Sequence, residues 1–226
     1  MRSRAAAAAA VSAAMTIAAC RTATPAPRVP PSASRPAAAP VSDADLAQGR
    51  ALAGALFGRD PLVPDSRLLR YVAMVGRAVA GVGGADAFHF AVTQSDLPYE
   101  TAFSGGIVVI SRGLIFEMDS EAELAVTIGR EICRCEAGAA RELPGAPESA
   151  DPARESALDA CGGRRASAAG YDAAAFLRLV ATLQDRAASV REKSDLEARR
   201  AEFRKLPESA AGGKLLAERF RRSAIM

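Results

Sequence analysis

Tryptophan is absent from this 226-residue chain, and histidine occurs once, at position 89. A single imidazole excludes any metal centre that needs two of them. Phe88 and Phe90 alternate with His89 in a short β-prone stretch, which puts His89 on the opposite face as a surface or internally satisfied histidine. Aromatic residues make up only 5% of an alanine-rich composition, so helices packed through small side chains are expected rather than a large aromatic ligand pocket. The net charge of +3 is weak and evenly spread, which gives no case for nucleic acid as a partner. The longest apolar run, Ala5 to Ala19, is short of the roughly 20 residues that a membrane-spanning helix needs.

What is present at the amino end is an export signal: Arg2 and Arg4, the apolar run, then a cysteine after small residues. Ile17-Ala18-Ala19-Cys20 resembles a bacterial lipobox, which implies cleavage before Cys20 and acylation of that residue. An ordinary signal peptide cut elsewhere is the plainer alternative. Arg21 stands where inner-membrane lipoproteins often carry Asp, so the resemblance favours the outer membrane, on the periplasmic side. Residues 21–41 are rich in Pro, Ala and Ser and serve as an unfolded tether, reaching roughly 60 Å if extended. The remaining residues, 42–226, suffice for one domain with a real core.

Within that domain the local signals predict an α+β composition, mostly helical with a few short strands. Ser42 and Pro64-Asp65-Ser66 open two helices; residues 88–93, 99–103 and 107–111 are strand-like. Ala137 to Ala150 is a connection, Asp151-Pro152 starts a further helix, and Asp172 caps another. From Arg186 to Arg222 the chain is charged and mostly helical, broken at Pro207 and Gly212-Gly213.

The central helix is SEAELAVTIGREICRC, from Ser120 to Cys135. Ser120 and Glu123 have the spacing of a capping box, and Leu124, Ile128, Ile132 and Cys135 form an apolar stripe. Glu123, Thr127, Arg130 and Arg134 run down another face, with Glu131 beside Arg130. In an HExxH helix two imidazoles at i and i+4 hold zinc and the glutamate between them activates water. Here the glutamate and the spacing are kept, but arginine stands at both histidine positions.

Ala102-Phe103, Gly105-Gly106-Ile107, Arg112-Gly113-Leu114, Glu121-Ala122-Glu123-Leu124-Ala125, Glu155-Ser156-Ala157-Leu158-Asp159 and Gly170-Tyr171-Asp172 follow one another in order. Over about residues 60 to 190 this series resembles the HtpX and CAAX-prenyl-protease type of zinc metallopeptidase, family forty-eight of the metallopeptidases, a gluzincin. The resemblance implies that Glu131 matches the general base, Glu155 the third zinc ligand and Asp159 the acid that orients the first histidine. Arg130 and Arg134 match the two histidine ligands, and a guanidinium has no lone pair to offer a metal. No cofactor is therefore expected, and zinc only if the likeness to active members extends to the ligands. The resemblance also implies an α+β fold with a small β-sheet packed beside the central helix. In that family's fold the two helices run antiparallel, which would set Arg134 against Glu155 and Arg130 against Asp159 in an ion-pair cluster; the plainer alternative is that both arginines point to solvent. The family also binds an extended peptide along a sheet edge, here Gly105, Gly106, Ile107, Val108 and Val109.

Cys133 and Cys135 lie about 200° apart on a helix and should not bridge each other. A bridge from either to Cys161 stays open, buried free thiols acting as apolar fillers are favoured, and a metal site from Cys133, Glu131 and Glu155 is set aside. The leading expectation is an envelope lipoprotein, anchored to the membrane by lipid, that has lost zinc and proteolysis but can hold extended polypeptides or envelope proteins. The alternatives are a zinc metalloendopeptidase with atypical ligands and a structural lipoprotein presenting its basic C-terminal helices to a partner.

Overall fold

The computed structural model describes residues 42–81, 84–138, 151–207 and 212–225. The expected signal segment 1–20 with Cys20, the expected tether 21–41 and most of the connection 137–150 lie outside the described residues. In chain order the elements are α1 (Asp43–Arg59), α2 (Ser66–Ala80), β1 (His89–Thr93), β2 (Glu100–Phe103), β3 (Ile107–Ser111), α3 (Arg112–Phe116), α4 (Glu121–Glu136), α5 (Pro152–Ala168), α6 (Phe176–Arg186), α7 (Val190–Arg204) and α8 (Ala217–Phe220). The class is α+β, mostly helical with one small sheet. Among the described residues no helix is long and apolar enough to cross a membrane.

Local signals place the helix starts. Ser42 Oγ accepts from the Asp45 amide at 3.1 Å while Asp45 accepts from the Ser42 amide at 3.2 Å, a complete capping box for α1. Asp65 caps α2 through the Arg67 and Leu68 amides, and Asp151 caps α5 just ahead of Pro152. Gly81, with φ of 77°, ends α2 in a conformation that only glycine adopts freely.

The sheet has the order β1-β3-β2, with β3 parallel to β1 and antiparallel to β2. β3 alternates between two cores. Val108 and Ile110 face the main core with Val72, Val75, Leu124 and Ile128, while Val109 joins Ala53, Leu56 and Phe103 beneath α1. The sheet is thus enclosed between α1 on one face and α2 with α4 on the other.

This topology corrects the peptide-edge expectation. Ile107, Val108 and Val109 lie on the middle strand, paired with β1 on one side and β2 on the other, so no added strand can hydrogen-bond there. Gly105 and Gly106 form the β2–β3 turn, with φ of 86° and 76°. Nor does β2 supply a substitute, since Thr101, Ala102 and Phe103 are at most 1% exposed. The outer edge of β1 is met by the segment before α2, where the Val63 amide donates to Val92 O at 2.9 Å.

A second difference concerns α4. The stripe of apolar residues predicts one buried face, yet every residue from Glu121 to Arg134 is buried. The sheet, α2, α5 and α6 surround this helix, so its charged stripe is interior as well.

Candidate functional site

The site is built where α4 crosses α5. Ser120 caps α4, its Oγ accepting from the Glu123 amide at 3.4 Å, but the Glu123 carboxylate takes the Asp119 amide at 2.7 Å instead of closing the box on Ser120. The two helices then meet through glycine. A Cβ on Gly162 would lie 2.7 Å from Val126 O and 2.8 Å from the Arg130 nitrogen, and one on Gly129 would lie 3.0 Å from Gly162 O. Backbone thus rests on backbone, and the side chains just beyond the crossing are forced together.

Cys133 and Cys161 form a disulfide across the same pair of helices, with Cα atoms 6.3 Å apart. This overturns the expectation of buried free thiols for Cys133 and Cys161, and removes Cys133 as a metal ligand. Cys135 alone among the described cysteines is free. Burial pushes its thiol up to about 12, with the Glu131 and Glu136 carboxylates adding to the effect.

Arg130 is the centre of the cluster and is 1% exposed. Its Nε donates to Asp159 at 2.7 Å, Nη1 donates to Glu100 at 2.6 Å and to Glu131 at 3.0 Å, and Nη2 donates to Glu155. Arg134 donates through Nε to Glu131 at 3.2 Å and through Nη1 and Nη2 to the two oxygens of Glu155, at 3.1 and 3.0 Å. Burial opposes both cations, but the surrounding carboxylates outweigh it, Asp159 and Glu100 foremost for Arg130 and Glu131 for Arg134. Each guanidinium is held above its ordinary pKa and stays charged.

The structure therefore brings Arg130, Glu131, Arg134, Glu155 and Asp159 into one buried network. His89 lies apart from it, exposed at the start of β1. Two members were not foreseen. Glu100 enters from β2, and Arg199 enters from α7, donating to Asp159 from Nε at 2.9 Å and Nη2 at 2.7 Å. Arg199 also lies over the Phe176 ring, 5.9 Å from its centroid. No local pattern marks either residue; only the tertiary path of β2 and α7 delivers them.

These residues do not fit zinc. The two positions that the resemblance assigns to imidazole carry guanidinium groups without lone pairs, and Cys133 is spent in the disulfide. Among the described residues no group of three His, Cys, Asp or Glu side chains is arranged to hold a metal ion. What the arrangement does chemically is neutralise buried carboxylates with guanidinium groups.

A second buried network lies at the other end of α4. Glu121, fully buried, accepts from Tyr71 at 2.8 Å, from Tyr171 at 2.7 Å and from Arg219 at 2.6 Å. Burial pushes this carboxyl up, but Arg219 and the two phenols outweigh it and hold it below the usual range. Tyr71 and Tyr171 are both pushed well above the ordinary phenol value, by burial first and then by Glu121. Glu123 goes the other way, raised because burial exceeds the help from Arg178.

A cleft of about 930 Å³ opens beside the cluster, between the start of α5, the end of α6 and α7. Arg130, Glu155, Glu100 and Arg199 of the cluster line it, together with Tyr99, Leu183 and Leu196. No protein-family model matches the chain, and no curated sequence is significantly similar to it.

Proposed function

We propose that the chain is a bacterial envelope lipoprotein whose gluzincin-like domain has exchanged hydrolysis for a structural use of the same residues. The observation that carries this reading is Arg130, buried among Glu100, Glu131, Glu155 and Asp159, in the place that the HExxH pattern gives to a zinc ligand. Glu131, the general base by resemblance, is engaged by both arginines. With no residues to seat a Lewis acid, a water beside it keeps a pKa near that of bulk water. The Cys133–Cys161 disulfide supports an oxidising compartment and hence export.

The polypeptide-holding part of the reading moves from the sheet to the cleft. There a client would be held by side-chain contacts, since neither β3 nor the buried stretch of β2 can take an added strand. The C-terminal helices are a poor display surface by comparison. Leu196 and Phe203 of α7 are buried and Arg199 is tied to Asp159, so truncation after Ser189 would dismantle the core rather than remove a docking face.

The test uses the full-length chain in detergent, with a casein-type proteolysis assay and photo-crosslinking to a denatured polypeptide. The reading predicts no hydrolysis, and crosslinks that disappear when Ala153→Trp and Ser194→Trp fill the cleft. Hydrolysis abolished by Glu131→Gln, or crosslinks indifferent to both fillings, would count against it.

A further inference from the structure

Helix α2 carries Arg67, Arg70 and Arg77 and no acidic residue in its 15 positions. At about 100° per residue these three and Met74 fall within an arc of roughly 80°. On the other side of the helix Leu68, Val72, Val75 and Val79 are buried in the core. All three arginines are exposed, and Met74 between them is 44% exposed. The C-terminal turn packs against this helix, Phe220 lying 6.4 Å from the Tyr71 ring, and carries exposed Arg221 and Arg222. Among the described residues Arg67, Arg70, Arg77 and Arg221 make no ion pair, and only Arg222 is partnered, with Glu218 at 3.5 Å. The one carboxylate at this end of the helix, exposed Asp65, accepts from the Arg67 and Leu68 amides and pairs with none of these arginines.

A one-signed arginine stripe with an exposed thioether at its middle complements an anionic interface with an apolar layer behind it. We infer that the α2 face docks on an anionic phospholipid surface, headgroup phosphates pairing with Arg67, Arg70 and Arg77 while Met74 enters the interface. The inference rests on the lipoprotein reading for its supply of membrane. Residues 21–41 then hold the domain within roughly 60 Å of the bilayer, so a weak electrostatic contact is enough to orient it. Nucleic acid fits less well, because the cationic patch is local and the whole chain carries only +3.

Each arginine near such a surface strengthens partition by about fivefold, and salt screens the effect. Since the chain has no tryptophan, a single Met74→Trp substitution is an unambiguous fluorescent reporter, with Val190→Trp on α7 (Val190 is 86% exposed) as the control. The full-length protein is mixed with phosphatidylcholine vesicles, with and without phosphatidylglycerol, made with brominated acyl chains.

The expected result is a blue shift and bromine quenching of the Met74→Trp reporter on anionic vesicles only. High salt reverses it, Arg67→Glu/Arg70→Glu/Arg77→Glu abolishes it, and the three Arg→Lys changes largely preserve it. The Val190→Trp control stays unquenched, and an unchanged thermal melt shows that the charge reversals fold. No quenching at Met74→Trp, equal quenching at both reporters, a concentration-dependent blue shift without quenching (a second copy), or a response to duplex DNA alone would each overturn the inference. Anchoring is read separately by flotation with neutral vesicles. A chain that floats but shows no quenching loses the docking face alone; one that is quenched on anionic vesicles yet does not float on neutral ones loses only the lipid anchor.

Discussion

Gly162 of α5 rests on the backbone of Arg130 in α4, so closely that a Cβ at Gly162 would fall 2.8 Å from the Arg130 nitrogen. The ion-pair cluster depends on this approach, because guanidinium and carboxylate are brought together by the crossing of their helices. Gly162→Ala should force the helices apart and cost about 1–3 kcal/mol, measured by chemical denaturation. An unchanged midpoint would mean that the crossing has slack.

Removal of the central cation should be more costly. Arg130→Ala leaves Glu131, Glu155 and Asp159 buried with one neutralising partner fewer, a loss of about 3–5 kcal/mol. Arg199→Ala should cost less, because Arg199 is partly exposed and Asp159 keeps its bond to Arg130. Denaturation curves that rank the two variants in reverse would contradict the placement of Arg130 at the centre.

The disulfide gives an independent handle on the same helix pair. Cys133 and Cys161 are 28 residues apart, so opening the bridge by Cys161→Ser should lower stability by about 3–4 kcal/mol. In the folded protein Cys135 should resist alkylation at neutral pH, its thiol being raised to about 12, and should react once the chain is unfolded. Fast labelling of the native protein at Cys135 would refute this.

Acid should attack the other end of α4. The Glu121 carboxyl is depressed in the folded state, so the stability it contributes is present above the ordinary glutamate range and is lost as pH falls through its folded value. Glu123, raised by burial, contributes with opposite sign: protonation relieves it, and deprotonation as pH rises through its folded value weakens the fold. Melting temperature measured from pH 7 to pH 3 should therefore fall less steeply in Glu121→Gln than in the parent, and more steeply in Glu123→Gln. Identical slopes would remove both assignments.

What could be read from the sequence was what short-range chemistry specifies. The caps at Ser42, Asp65, Ser120 and Asp151 set four helix starts, and the i, i+4 spacings of Arg130 with Arg134 and of Glu155 with Asp159 put each pair on one helix face. What could not be read depends on which surfaces meet. The strand order that makes β3 central leaves no mark in the composition of Ile107–Ser111, since a β-branched run suits a middle strand and an edge strand alike. Arg199 sits in a run of charges that resembles a solvated helix, and only the fold of α7 over α5 turns it inward. The choice of Cys133 over Cys135 for the bridge follows from which face of α4 packs on α5, which spacing alone leaves open.

The central claim is that guanidinium groups hold the place of a metal. Zinc content of the full-length protein, purified without chelator and then dialysed against micromolar zinc, tests it most directly. The account predicts well under one zinc per chain, unchanged in Glu155→Ala. One tightly held zinc per chain, lost on Glu155→Ala, would contradict it.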